Sequence, residues 1–463
     1  MTPYDRESLI SDPLHGYIPF TSTGGGEIAE QTLIDHPWLQ RLRRIHQLQS
    51  AWLVYPSAEH TRFQHVLGAM HLAGRAAVHL YPSLRESCGT GGTPSAAYVE
   101  SLVRVAALLH DVGHGPYGHF FDDNFLDEYR LTHEDLGQHI IRTELADAIR
   151  GIRANPHGVL AANETLAPEE VALLIKRPRD GEVKDIPAWL RHLRSLFCGV
   201  YTVDNMDFVL RDSYMSGHGP QAFDLNRLLH YSFFTPHGLT LHAKGLSALE
   251  HFIEARDKLF RNLYFHRTVR AIDLMLIDLF GPTLKLIFPG NPLDHLNEYR
   301  RLTEWSLLVE VDRWSAEADA RKRELASGWR DILERRVRWK MACERTIHFA
   351  QGQPELASIF TDAELVERKV RSILPESLRG LTFRADVARH YHRPISSAAA
   401  KQNFVYEPAT RKVIPLSEHE QFTRLPVSLS LCRLYALDHE HDAGLTTALD
   451  RLLQTRGDDK TNM

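Results

Sequence analysis

The sequence predicts a mostly α fold, a helical bundle over residues 1–355 followed by a smaller α+β lobe over residues 356–463. Apolar residues recur at three-and-four spacing in ESLVRVAALLHDV, ALEHFIEARDKLFRNLYFH and VRAIDLMLIDLF, the period that lays one apolar stripe along a helix. After about residue 355 the pattern changes. FVYEP and KVIPL flank the polar turn ATR, and LPVSLSLCRLYAL follows with strand-type alternation and branching. With 463 residues, 43% hydrophobic and 24% charged, the chain can bury a large core and needs no disordered reading.

From the amino terminus, MTPYDRESLISDPLHGY lacks the charged start and apolar core of a secretory leader, and no later run approaches a membrane span. His65 opens the amphipathic helix VLGAMHLAGRAAVHLY; ESCGTGGTPS, residues 86–95, reads as an exposed connection to the helix that ends at His110. The last residues, TRGDDKTNM, are expected to fray, and no internal repeat is present. A net charge of −5 argues against a protein-wide basic field for nucleic acid, as does the lack of an aromatic platform or a basic stripe. The 54 Lys and Arg still allow a local pocket for a small anion. Cys88, Cys198, Cys343 and Cys432 form no CxxC pair, so neither a disulfide framework nor a thiolate zinc site is expected, and a reducing cytoplasm fits.

The chemistry concentrates in HDVGHGPYGH, residues 110–119. An adjacent His110 and Asp111 closing an apolar helix supply one nitrogen and one oxygen ligand, a set suited to iron, manganese, zinc or magnesium. A carboxylate there is costly to bury without a partner. Two ligands do not complete a site. TRFQH, ending at His65, and VDNMD, beginning at Asp204, offer further ligands from other helices. Most of the 27 histidines must be structural or solvated, and Asp204 could equally serve as a helix cap or as the salt-bridge partner of Arg211.

One His, a distant His-Asp doublet and a later Asp form the pattern of the HD superfamily of metal-dependent phosphohydrolases, which this chain resembles. DPLHGYI, QRLRRIHQL, TRFQHVLG, HDVGHGPYGHFFD, LTHE, VDNMDFVLRDS and EARDKLFRNLYFHRTV follow the order of one branch, the deoxynucleoside triphosphate triphosphohydrolases with SAM and HD domains, over about residues 11–280. Because DPLHG begins at Asp12, a version without the SAM domain is expected.

The resemblance implies an HD-domain bundle in which His65, His110, Asp111 and Asp204 hold one metal ion, with further magnesium accompanying the nucleotide phosphates. It implies that His114, His119 and His133 surround the scissile phosphate, that Asp122 orients His133, and that His119 is the acid. The implied reaction is attack of a water-derived nucleophile on the α-phosphorus of a deoxynucleoside triphosphate, releasing deoxynucleoside and inorganic triphosphate. Arg62 and Arg256 would face phosphate, Gln47 and Asp212 the 3′ hydroxyl, Leu48 the sugar and Tyr264 its 2′ edge. An activator site for GTP or dGTP between the subunits of a dimer or tetramer would use Asp35, Gln40 and Arg43, with Arg227 and Lys244 on its phosphates.

Four positions depart from that pattern. Asn205 and Phe208 stand where the branch has lysine and tyrosine, and His242 where it has arginine; Arg267 replaces a lysine with its charge kept. A missing cation and hydroxyl leave room for another nucleotide substrate, as a phosphohydrolase or phosphodiesterase. A nucleotide-responsive binding protein with a vestigial site is the remaining alternative.

Overall fold

The computed structural model describes residues 3–22, 26–89, 92–176, 186–219, 221–349, 359–391, 403–423 and 428–454. The expected boundary at 355/356, the tail from residue 455 and part of the 86–95 connection lie outside them.

Helices dominate, as the apolar period requires. The central helix, Arg62–Cys88, starts at Thr61, whose backbone N–H is taken by the Gln64 side chain at 2.6 Å. It begins one turn earlier than the apolar run suggests, so His65 lies in its first turn. Ala96–Leu109 starts at Ser95, whose hydroxyl accepts the Tyr98 N–H at 3.1 Å, and it packs along the central helix. Val203–Met215, capped by Thr202 on Asn205, also packs on the central helix. Asp204 is therefore a first-turn residue and not the cap.

The segment from His110 to Gly118 leaves the helix in a series of turns that include Gly113, Gly115 and Gly118. At Gly113 a Cβ would stand 2.0 Å from the His133 carbonyl oxygen, so only glycine lets the His133–Thr143 helix come this close. Tyr117 and Gly118 both have positive φ, 64° and 58°. Buried groups from elsewhere tie the turns down. Arg41 donates to the carbonyls of His114 at 2.6 Å and Leu302 at 2.9 Å, the Tyr299 hydroxyl donates to Gly113 O at 2.6 Å, and Glu304 accepts the Tyr117 N–H at 3.0 Å.

Besides two-stranded hairpins at Glu7–Asp12 with Gly16–Thr21 and at Ala154–Asn155 with Gly158–Val159, two larger sheets are present among the described residues. The first joins Ser232–Thr235 and Gly238–His242, an antiparallel hairpin, to Asn403–Glu407 in parallel and then to Lys412–Pro415. FVYEP and KVIPL thus form strands about the ATR turn, but they extend a sheet begun in the bundle. The second sheet is antiparallel, with Ser428–Ala436 between Lys340–Phe349 and Phe383–Tyr391. Its first strand precedes residue 355, and its central strand is buried on both faces rather than one. Cys432 and Leu434 face the helices Ala363–Ile373 and Asp442–Gln454, while Leu429 and Leu431 face Phe260, Tyr264 and Phe265 of the bundle. Among the described residues no helix is long and apolar enough to cross a membrane.

Replacing Arg41 by Met leaves buried carbonyls of the 110–118 turns without donors, and should cost about 3 kcal/mol in denaturant unfolding. An unchanged unfolding midpoint would show that these turns hold themselves.

Candidate metal centre and active site

Three separate stretches bring four side chains to one point. His65 Nε2 lies 3.2 Å from His110 Nε2 and 3.1 Å from Asp204 Oδ1; His110 Nε2 lies 3.3 Å from Asp111 Oδ1 and 3.7 Å from Asp204 Oδ1. Ligands about 2.1 Å from a shared cation stand about 3.0 Å apart at an octahedral edge and about 3.4 Å at a tetrahedral one. The observed separations fall around those edges. His65, His110 and Asp111 place their ligand atoms within 4.8 Å of one another, and Asp204 joins through the two imidazoles.

Hydrogen bonds behind the rings decide what the facing nitrogens can do. His110 Nδ1 donates to the Ala107 carbonyl at 2.7 Å, and His65 Nδ1 donates to Asp207 at 2.9 Å. When neutral, both rings therefore turn a lone pair toward the same point, and two lone pairs at 3.2 Å repel unless positive charge lies between them. Burial opposes a charge on His65, but Asp204 and Asp207 outweigh it and push its pKa up to about 10. The cluster draws in a proton or a metal ion, and its mixed nitrogen and oxygen donors fit a divalent metal.

Asp207 is fully buried and forms the hub behind the cluster. Besides His65 it meets His15 Nε2 at 2.7 Å and Arg211 Nε at 2.8 Å, while Arg211 Nη1 donates to Asp12 at 2.9 Å. Asp12 in turn accepts the backbone N–H groups of Leu14 and His15 at 2.9 and 3.0 Å. Thus Arg211 pairs with Asp207 and Asp12, and the sequence alternative that it partners Asp204 is not what the structure shows. Gly68 makes room for the hub, since a Cβ there would stand 1.9 Å from Asp207 Oδ1.

A second group lies beside the first. His114 and His133 stack with centroids 3.7 Å apart, His119 meets both edge-on, and His133 Nδ1 is hydrogen-bonded to Asp122. His119 Nδ1 stands 3.7 Å from the same Asp122 oxygen. Burial works against ionisation of Asp122, yet His119 and His133 outweigh it and hold the carboxyl well below its usual range. Burial, Arg62 and His133 together push the pKa of His114 well below the ordinary imidazole value. His114 Nε2 is 3.3 Å from Asp111 Oδ1, so the two groups share that carboxylate.

Both groups open into one cavity of about 450 Å³. His65, His110, Asp111 and Asp204 line it with His119 and His133, and so do Gln47, Leu48, Arg62, Asp212 and Tyr264. Tyr264 Oη donates to Asp212 at 2.5 Å, the other Asp212 oxygen meets His60 Nε2 at 2.8 Å, and Gln47 Oε1 is buried without a partner. His114 and Asp122 stand behind the lining. Arg62 spends Nη1 on Asp111 at 2.7 Å. Arg256 is outside the lining, with Nη1 3.4 Å from the Val200 carbonyl and its pKa lowered to about 10 by burial, and Arg267 is exposed at the start of the Arg267–Ile287 helix.

The five residues expected around an activator lie outside this cavity. Gln40 donates to Ile34 O at 2.8 Å and accepts from Arg43, whose guanidinium covers Phe63; Asp35 is an exposed helix end; Arg227 donates to Lys244 O at 2.9 Å. The sequence reading missed Phe260, Phe265, Arg270 and Asp273 as cavity residues, and His15 and Asp12 behind the metal cluster. DPLHG was visible as a motif, but nothing in its spacing pointed to Asp207.

Residues 62–186 match the family model described as HD domain, so the chain carries an HD domain over that segment. It is 27% identical to the uncharacterized protein YwfO of Bacillus subtilis over 332 residues, 68% of each chain. It is 31% identical over 348 residues to the deoxynucleoside triphosphate triphosphohydrolase SAMHD1 of Bos taurus, covering 66% of this chain and 54% of that one. The chain thus spans about half the length of the SAMHD1 proteins it matches. Its fold also resembles a hypothetical protein from Aquifex aeolicus, with TM-score 0.68 and 23% identity over 96% of this chain and all of that one.

Two outcomes test the centre. Asp207→Asn keeps the shape but gives His65 a poorer acceptor, so metal affinity should fall about 10–100-fold by competition with a chelator. Since the raised pKa keeps a proton on His65 that a metal must displace, affinity should weaken about tenfold for each unit that pH falls below about 10. Metal binding independent of pH would place the ligands elsewhere.

Proposed function

We propose that this chain is a metal-dependent deoxynucleoside triphosphate triphosphohydrolase, converting a deoxynucleoside triphosphate and water to the deoxynucleoside and inorganic triphosphate. The observation that carries the reading is one cavity shared by the ligand cluster, the histidine group and the Asp212–Tyr264 pair. Its likeness to proteins named for that activity supports the reading.

His65, His110, Asp111 and Asp204 would hold the ion. When bound, it polarises a phosphoryl oxygen and makes a water-derived nucleophile available near neutral pH. His119, partly exposed and set by Asp122, is the candidate to protonate the departing 5′ oxygen. His133, fixed by the same carboxylate, and His114 stacked on it keep this acid beside the phosphate. Gln47 Oε1 lacks a donor and suits the 3′ hydroxyl, Leu48 lies beneath the sugar, and the Tyr264 ring closes the 2′ edge where a ribose hydroxyl would collide. Asp35, Gln40, Arg43, Arg227 and Lys244 would form the guanine-nucleotide activator site of a dimer or tetramer.

The second reading is phosphohydrolase or phosphodiesterase action on another nucleotide. It is favoured by a sparse phosphate clamp. Phe208 lines the cavity where a tyrosine was expected, and Arg256 and Arg267 are outside the lining. Ion-exchange separation of the products from each deoxynucleotide with manganese separates the readings. Inorganic triphosphate should appear and should vanish in Asp111→Ala; pyrophosphate or monophosphate instead would select the second.

A further inference from the structure

The carboxyl-terminal sheet reaches the cavity by two routes that leave from one strand. In Phe383–Tyr391, alternate residues point to one face, and Asp386, Ala388 and His390 share it. Ala388 packs with Phe260, Tyr264 and Phe265. The first route is ionic. Arg433 of the central strand is engaged by Glu344 at 2.6 Å and comes within 4.0 Å of Asp386; Asp386 receives Arg270 Nε at 3.1 Å and Nη2 at 2.5 Å. Arg270 Nη1 donates to Asp273 at 3.4 Å, and the other Asp273 oxygen accepts from Ser50 at 2.6 Å. Ser50 ends the turn that carries Gln47, Leu48 and Gln49, and Gln49 has a positive φ of 49°. The second route is aromatic. His390 stacks on Phe260 at 3.8 Å, Phe260 meets Tyr264 edge-on at 4.8 Å, and the Tyr264 hydroxyl holds Asp212.

We infer that this strand of the carboxyl-terminal sheet positions the nucleoside end of the cavity, with Asp386 and His390 acting as positioning residues for the Gln47–Gln49 turn and Tyr264. Asp273 and Arg270 line the cavity, but both Asp273 oxygens are occupied by Ser50 and Arg270, and Arg270 is held by Asp386 and Asp273. With both Asp273 oxygens engaged and all three Arg270 nitrogens anchored to Asp386 and Asp273, the pair is fixed in the wall and shapes it. Alternating charges along the ionic route leave each buried ion a counter-ion, and removing one frees the next to seek another partner. A residue at positive φ outside glycine persists only when its surroundings hold it, which is what the Ser50–Asp273 contact does for Gln49. The metal cluster takes no ligand from this network. Disturbing the strand should therefore loosen substrate binding and leave the ion in place.

This inference rests on the cavity being a substrate site, though not on which nucleotide fills it. The test uses the full chain and the phosphoester it turns over best. Asp386→Asn should raise KM at least tenfold, with kcat changed less than threefold and metal content unchanged, and Asp386→Glu should recover part of the loss. Ser50→Ala, which cuts the route at its far end without placing an unpaired charge in the core, should raise KM in the same direction and serves if Asp386→Asn fails to fold. An unchanged KM in the folded variants, or a fall in kcat that tracks loss of metal, overturns the inference. Absence of inorganic triphosphate from the wild-type products would instead overturn the substrate assignment alone.

Discussion

Two imidazole nitrogens held facing each other at 3.2 Å, with room for a proton or a cation but not for two bare lone pairs, are the constraint around which this site is organised. Neither ring is free to rotate away. The Ala107 carbonyl holds one and the buried Asp207 carboxylate the other, and Asp207 is itself held by Arg211 and His15. A buried carboxylate and guanidinium cost several kcal/mol to desolvate, and that cost is met only when every hydrogen bond is made. Asp12 closes the account by engaging Arg211, so a hairpin near the amino terminus becomes part of the support of a site centred far along the chain.

The turns after His110 apply the same economy to backbone. They set His114 against His119 and His133, and carbonyls and an N–H group of the turns are satisfied by Arg41, Tyr299 and Glu304. Arg41 and Glu304 are both fully buried and lie on either side of the HD segment in the chain. The 110–118 segment is thereby held by residues that belong to neither side-chain cluster.

Much of the site was legible because ligand chemistry restricts residue type. His65, His110, Asp111 and Asp204 could be chosen from the sequence, and the structure brings them together; the His114, His119, Asp122 and His133 group also assembles. Charge was a poorer guide to position. Arg256 and Arg267 stand outside the cavity lining and Arg270 within it, where the carboxylates of Asp386 and Asp273 hold its guanidinium. The two-sided burial of Ser428–Ala436 was likewise hidden, since strand alternation does not tell whether the polar face meets water or another layer.

The sequence by itself determined the helical class and which His and Asp side chains could serve as metal ligands, since period and donor type are properties of single positions. Only the tertiary structure decided that Asp207 supports His65, that Arg211 answers Asp12, and that a carboxyl-terminal strand backs the cavity. Those facts are pairings between residues far apart in the chain. Each buried charge takes the partner that the packed fold places within reach, and no local pattern records that distance.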